Sequence, residues 1–372
     1  MRRDFLNITA KLSKVAHVQK AAYNVCRVLL SNRKPKISDA EAYLSTLSPE
    51  KKNSCIEEHQ LALKPEYDLQ IIMPAYNVSK YIDECMRSVL AQKTRYSYLL
   101  VVVDDGSTDD TPILLQKYTS YPNVKIIKQV NQGPSAARNN GLQYINARYV
   151  AFIDADDSLP ENAVETLVSK ADYSQTDILE GSHRYFRGNK IVHVRRFSEE
   201  LSASVRFTSF AWGKVYQAHI WQHIGFPVGY WFEDMMVLLI LSPITTKKGL
   251  ISEIVYNYRD TPTGFTRAYN KDKRRVESYW VTKQLLTDAK VLGIPPTVYF
   301  YERFLQCCTM STRRVAILGD HKADYALFEA QRQLRDTYFK DLRAQGQKEK
   351  RIESAFLNDD FKEYLLYCLF LH

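Results

Sequence analysis

No apolar run in this 372-residue chain reaches the roughly 18 residues that a membrane-crossing helix needs. The basic start is followed by no apolar signal core with a small-residue cleavage site, so a secretory leader is not expected. The six cysteines (Cys26, Cys55, Cys85, Cys307, Cys308 and Cys368) form no C-x-x-C pair. They read as reduced, mostly buried thiols of a cytosolic protein, not as a disulfide frame or a zinc site. A G-x-x-x-x-G-K-[ST] loop and a G-x-G-x-x-G turn are both missing, which argues against P-loop enzymes and dinucleotide-dependent dehydrogenases. His219 and His223 are four apart, but H-E-x-x-H is absent, so they read as ordinary helix residues. No DNA- or RNA-binding motif is recognisable, and nucleic acid is not expected as a partner. Internal repeats and low-complexity tracts are also missing.

What is present is an ordinary globular composition, 45% hydrophobic and 25% charged, long enough for a sizeable core. Tryptophan is scarce, at four, against 25 tyrosines. Aromatic rings can form platforms for sugars, although scattered tyrosines are more often half-buried structure. The net charge of +9 is unevenly placed: residues 1–36 hold nine lysines or arginines against Asp4 alone. Phe5, Leu6, Ile8, Leu12, Val15, Val18, Val25, Val28 and Leu29 recur there at roughly helical spacing. Such a basic amphipathic helix can lie on an anionic membrane surface. The plainer reading is a helix packed on the main domain with its lysines in water. The C-terminal "FKEYLLYCLFLH" is too short to span a bilayer and reads as a docked helix, and "Cys307-Cys308" as buried helix.

Three regions are expected: a helical extension over 1–66, an α/β domain over 67–270, and a helical region over 271–372. "SNRKPKIS" marks a break in the first. From Leu69 to about Pro160 strands and helices alternate. "LQIIMPAYN", "YLLVVVDDGS", "VKIIKQ" and "YVAFIDADD" read as strands, the second buried and the last buried on both faces. The intervening helices are "KYIDECMRSVLAQ", which Ser79 could cap, "TDDTPILLQKYTS" and "GPSAARNNGLQYI", the last two with early prolines. "PENAVETLVSKA" follows the fourth strand. The alternation implies a mostly parallel sheet with right-handed crossovers.

In open α/β sheets, ligands bind beyond the carboxyl ends of the strands. Polar residues gather there: Tyr76-Asn77, Asp104-Asp105-Gly106-Ser107 and Asp154-Ala155-Asp156-Asp157. Carboxylates this close repel one another. They stay ionised cheaply when a divalent cation binds among them, and hard oxygen ligands suit Mg2+ or Mn2+. Such a cation commonly bridges phosphate oxygens and stabilises a departing phosphate.

The blocks "IIMPAYNVSKYIDECMRSVLAQ", "VVVDDGSTDDTP", "NQGPSAARNNGL" and "YVAFIDADDSLPENAVETL" closely resemble successive blocks of family 2 glycosyltransferases with the GT-A fold. The resemblance is strong over about 68–170 and looser through "WGKVYQAHIW", "GYWFEDMMVLLIL" and "VYNYRDTPTGFT", to about residue 268. It implies a Rossmann-like nucleotide-sugar-binding sheet with helical extensions, and a UDP-sugar donor. By resemblance, Pro74, Ala75 and Tyr76 frame the uracil, with Asn77 following, and Asp105 accepts from the uracil N3–H while Asp104 supports its loop. Asn131 and Arg138 match positions near the base and phosphates. Asp154-Ala155-Asp156 matches the D-x-D motif: Asp154 near the ribose and sugar, Asp156 the metal ligand, with Asp157 able to share that role or to act as a helix cap. Arg259 and Thr266 fall in a segment resembling the family's closing loop, where a cation could hold the diphosphate. Trp212 and Lys214 match a W-x-K element, in which Lys214 would brace the acceptor side or pair with an acid.

Inverting members of the family place an E-D pair where this chain has Glu233 and Asp234. Asp234 is thereby the expected general base and Glu233 its support, whereas two acids there could also merely complement a helix dipole. The expected reaction is a single in-line displacement with inversion. The family's processive members carry Q-x-x-R-W and membrane spans, and neither is seen. That favours non-processive addition of a hexose or N-acetylhexosamine to a glycan or lipid-linked acceptor of bacterial surface-polysaccharide or teichoic-acid type. Two other readings stay open: a non-catalytic nucleotide-sugar-binding relative, and a metal-dependent nucleotidyl or phosphosugar transferase. The expected location is the cytoplasm, with peripheral contact at the inner face of the cell membrane and a homo-oligomer both left open.

Overall fold

The computed structural model describes Tyr23, residues 34–261 and residues 272–371, which divide into two units. Helix α1 (Ala40–Leu47) belongs to a helical unit that takes the described residues up to Lys52, Tyr230–Phe232, and those after Phe265. Asn53–Gly229 and Glu233–Gly264 make an α/β unit.

The α/β unit runs β1 (Tyr67–Ala75), α2 (Ile82–Leu90), β2 (Tyr98–Asp104), α3 (Thr111–Gln116), β3 (Val124–Lys128), α4 (Pro134–Leu142), β4 (Ala147–Phe152), α5 (Ala163–Ser174), β5 (Ile178–Arg187), β6 (Lys190–Arg195), β7 (Glu200–Leu201), β8 (Lys214–Gln217) and β9 (Lys248–Arg259). Among the described residues these nine strands form one sheet in the order β3-β2-β1-β4-β8-β5-β9-β7, with β6 paired to β5. The expectation of a mostly parallel sheet holds for β3, β2, β1 and β4. Beyond them the sheet is mixed. β8 enters antiparallel to both β4 and β5, β9 lies parallel to β5, and β6 and β7 are antiparallel to their neighbours. Because β8 reverses twice, β4, β5 and β9 point the same way and end on one rim.

The strands form where apolar runs can be covered on both faces. Leu69, Ile71, Ile72 and Met73 of β1 are all buried. Ile82, Cys85, Met86 and Val89 of α2, spaced three and four apart, pack on one face with Leu69, Ile71 and Met73. Ala137 of α4 meets Val101 and Val103 on the other. There α4 approaches β1 so closely that a Cβ on Gly141 would lie 2.5 Å from Ile72. Both early prolines sit in first helical turns, at α3 and α4.

Several local expectations need correction. Ser79 does not cap α2, which starts at Ile82 with no side-chain cap; its amide instead donates to Asp109. The chain from Ser48 to Glu66 is not helical, and Gln60–Leu61 pairs with Tyr144–Ile145. His219 lies in a single 3-10 turn and His223 beyond it, against Glu58.

In the helical unit the chain continues as α6 (Glu277–Val291), α7 (Val298–Ala316), α8 (His321–Tyr338), α9 (Gln347–Leu357) and α10 (Phe361–Phe370). Thr297, Asp320 and Asp360 cap α7, α8 and α10 with their side chains. Glu277 is buried at the start of α6, where it accepts from Lys51, Arg274 and the Trp231 amide. Cys307 and Cys308 are buried in α7, and the apolar C-terminal segment packs as α10. The basic segment before Lys34, Tyr23 apart, lies outside the described residues.

Candidate active site

The rim at the ends of β1, β2 and β4 carries the residues singled out from the sequence. Pro74 and Ala75 close β1, and the Tyr76 ring is 47% exposed just beyond it. Asn77 has φ 51°, a left-handed conformation that asparagine tolerates. Its Oδ1 accepts from the amides of Thr108 and Asp109, and its own amide donates to Ser107. Asn77 therefore clasps the loop after β2.

Asp104 is buried and accepts from the Ser107 amide, so it supports its own loop as expected. Asp105 is buried as well. Its Oδ1 takes Gln129 Nε2 at 2.8 Å and the Gln132 amide at 2.9 Å, and its Oδ2 takes the Gly133 amide at 2.8 Å. Asn131 donates to the Asp105 carbonyl at 3.0 Å. Gly106, at φ 70°, lets this turn close: a Cβ there would sit 2.8 Å from the Asn131 nitrogen.

The loop after β4 is built differently. Asp154 accepts from Arg138 at 3.0 Å. Asp156 receives no side-chain hydrogen bond. Burial, followed by repulsion from Asp154, pushes its carboxyl up to about 6. Asp157 turns inward, with its amide on the Asp154 carbonyl. Its carboxylate accepts from the Tyr256 hydroxyl at 2.7 Å and the Arg259 amide at 2.6 Å. Burial and the two neighbouring aspartates push its carboxyl well up. The metal role expected for Asp157 therefore fails on geometry: it is 1% exposed and committed to holding β9. Asp154 and Asp156 are the carboxylates left facing the rim. Among the described residues no three histidine, cysteine or acidic side chains converge as a metal-holding group. One or two carboxylates completed by substrate phosphate and water are the usual provision for Mg2+, and Asp156 beside Asp154 fits that pattern.

Arg138 on α4 is buried and forks between Glu233, at 2.6 Å, and Asp154, with Phe226 under its guanidinium. Burial works against its charge, but the two carboxylates outweigh it and hold the pKa above the ordinary arginine value. This arginine thus joins the D-x-D loop to the E-D pair. Asn139, which the sequence did not single out, pins the Phe226 backbone through both ends of its amide.

Glu233 and Asp234 lie in a 3-10 turn, Glu233–Met235, that passes into a π-helical turn, Val237–Leu241, in place of the regular apolar helix expected. Phe232 before them has φ 71°, a strained conformation for a bulky side chain. Ser209 donates to Asp234 Oδ2 at 3.1 Å.

Lys214 is fully buried. Its Nζ reaches Glu180 at 3.0 Å, Thr208 at 2.9 Å and the Phe210 carbonyl at 2.6 Å. Burial lowers its pKa against the pull of Glu180. It pairs with an acid, one of the two expectations, and has no exposed surface with which to touch a donor or an acceptor. Trp212 stacks between Phe210 and Tyr256, with ring centroids 4.4 and 4.3 Å away. Arg259 donates to the Asp156 carbonyl at 2.6 Å, pairs with Glu84 at 2.7 Å, and lies over the Tyr81 and Phe186 rings. Thr266 lies outside the described residues.

Tyr256 and Ser209 were missed in the sequence. Tyr256 also accepts the Asp154 amide, so one hydroxyl ties both ends of the acidic turn to β9. Its segment, "VYNYRD", was noticed for Arg259, and the alternation of that strand would have put Tyr256 on the opposite face from Asn257. Ser209 carries no local signal.

A nucleotide-sugar-type α/β sheet with acids on the rim defines a GT-A glycosyltransferase domain. Comparison with known proteins agrees: residues 70–229 match Glycosyl transferase family 2. Over this stretch, less than half of the chain, it is similar to that family. Glycosyltransferase GlyA of Streptococcus pneumoniae is 30% identical over 223 residues, 55% of this chain and 32% of that protein. The minor teichoic acid biosynthesis protein GgaB of Bacillus subtilis is 36% identical over 115 residues, 30% of this chain and 13% of that protein. The chain thus spans a third or less of the length of these two relatives. The crystal structure of S. aureus TarS 1-349 in complex with UDP-GlcNAc superposes with a TM-score of 0.51 at 18% identity, covering 80% of this chain and 89% of that one. That likeness is one of fold. No described helix is long and apolar enough to cross a membrane.

Proposed function

We propose that this chain is a metal-dependent, inverting, non-processive glycosyltransferase. It moves a hexose or N-acetylhexosamine from a UDP-sugar to a hydroxyl of a glycan or lipid-linked acceptor in cell-surface polysaccharide synthesis. The observation that carries the reading is the Asp156 carboxylate, left without a side-chain donor at the sheet rim while burial and Asp154 raise its pKa to about 6. A carboxylate so placed gains most from a bound cation.

The chain's own groups divide the work. Tyr76 offers an exposed ring for stacking on uracil. A carboxylate has about four acceptor positions, and three donors occupy Asp105, which leaves one on Oδ2 for the uracil N3–H. A Mn2+ or Mg2+ ion held by Asp156 beside Asp154 would supply neutralising charge at the leaving diphosphate. Glu233 pairs with Arg138, and Asp234 beside it would take the acceptor's proton. The acceptor oxygen then attacks the anomeric carbon opposite the diphosphate, the C–O bond to phosphate breaks, and UDP leaves with inversion. Teichoic-acid and glycosyltransferase relatives support a surface-glycan acceptor.

The test is a panel of nucleotide sugars with Mn2+, reading UDP release. One or two UDP-sugars should be turned over, and Asp156→Ala should abolish this. Asp234→Asn should lower kcat by about a hundred- to ten-thousand-fold while UDP still binds. Release of monophosphate or pyrophosphate in place of UDP would overturn the reading.

A further inference from the structure

The β5–β6 hairpin has a composition that the donor site does not use. Residues 181–198 contain five arginines or lysines and no acid. Arg184 donates to Asn257, and Arg187 pairs with Asp260. Lys190, Arg195 and Arg196 are exposed and make no ion pair among the described residues. An edge strand needs a charge or two to discourage pairing with other sheets. Five of one sign exceed that need.

The hairpin stands at the rim of the site. β5 ends on the same edge as β4, and Phe186 of β5 lies under Arg259, whose Nε donates to the Asp156 carbonyl. One face of the hairpin is aromatic. His193 of β6 lies opposite Tyr185 of β5, with ring centroids 5.4 Å apart. Tyr185 meets Tyr258 at 5.2 Å, and Tyr258 meets Trp212 at 5.5 Å. Trp212 stacks on Phe210, next to the Ser209 that holds Asp234. A continuous row of rings therefore leads from the expected base to the exposed cations.

We infer that the β5–β6 hairpin is the docking surface for a polyanionic glycan acceptor, with sugar rings on Tyr185, Tyr258 and His193 and anionic groups on Lys190, Arg195 and Arg196. This rests on the glycosyl-transfer reading and names the acceptor class for it. Rings beside cations suit a chain that alternates apolar sugar faces with negative charge. A lipid surface fits less well, because the exposed Ile191 and Val192 are successive strand residues and form no single apolar face.

The experiment measures binding of the full chain to dextran sulfate, to neutral dextran, and to vesicles of phosphatidylglycerol and phosphatidylcholine. UDP binding is read on the same samples. The wild type should bind dextran sulfate more tightly than dextran, and the affinity should fall as salt rises. Lys190→Gln/Arg195→Gln/Arg196→Gln should weaken it by about tenfold or more. Tyr185→Ala should weaken it at high salt as well, where charge is screened. Equal binding of the charged and neutral polymers, binding unchanged in the triple variant, or binding confined to vesicles would each overturn the inference. If UDP binding is intact when this happens, the donor reading stands and only the hairpin's role falls; loss of UDP binding by the wild type would sink the donor reading instead.

Discussion

The loops after β2 and β4 each place aspartates at the end of a buried parallel strand, yet they treat them in opposite ways. Asp105 is surrounded by donors: three hydrogen bonds reach its carboxylate, two of them from backbone amides. Its charge is satisfied by the protein itself, and it fixes the 129–133 turn. Asp156 is half-buried and lacks those donors, and its charge is disfavoured. A satisfied carboxylate holds shape whether or not ligand is present. An unsatisfied one stores electrostatic cost that a cation can relieve, so the same residue type holds its loop with one acceptor position to spare after β2 and is kept for a cation after β4.

That contrast can be broken from either side. The largest effect on stability is expected from Lys214→Met, which belongs with the satisfied group. It leaves Glu180 charged and buried, so unfolding free energy should drop by about 3–5 kcal/mol in denaturant titrations. Next comes Asp105→Ala. It orphans three donors and should cost about 3 kcal/mol, with UDP affinity falling as the turn loosens. Asp156→Asn should go the other way. A carboxyl whose pKa is raised on folding stabilises the protein most at pH below its unfolded value, near 4, and that contribution is lost as pH rises through about 6. Removing the charge should therefore raise metal-free stability at pH 7 by about 1–2 kcal/mol, after allowance for partial exposure, with little change at pH 4. A variant less stable than wild type at pH 7 would mean that Asp156 is a scaffold residue like Asp105.

The sequence made the first half of the sheet readable for a physical reason. A parallel strand covered on both faces needs an apolar run, and residues 71–75 of β1, 99–103 of β2 and 149–152 of β4 are such runs, each leading into polar residues. The second half was opaque because its order depends on pairing between distant segments. β8 is four residues long and inserts between β4 and β5, and nothing local announces it. Lys214 looked like a site residue because its partner, Glu180, lies on another strand. Asp157 looked interchangeable with Asp156 because adjacent acids are alike in sequence. Only the turn at Asp154–Asp157 carries one toward Tyr256 and leaves the other at the rim. The loop-clasp role of Asn77 was hidden for a similar reason: it depends on amides 31 and 32 residues away.

The central claim is that Asp156 is a carboxylate kept for a cation. Calorimetric titration of the protein with Mn2+ in the presence of UDP, repeated from pH 5 to pH 8 on wild type and Asp156→Asn, tests it most directly. Wild-type affinity should climb through about pH 6 as the carboxyl ionises and then level off, and the variant should show no such climb. A pH-independent affinity, or equal binding by the variant, would contradict the account.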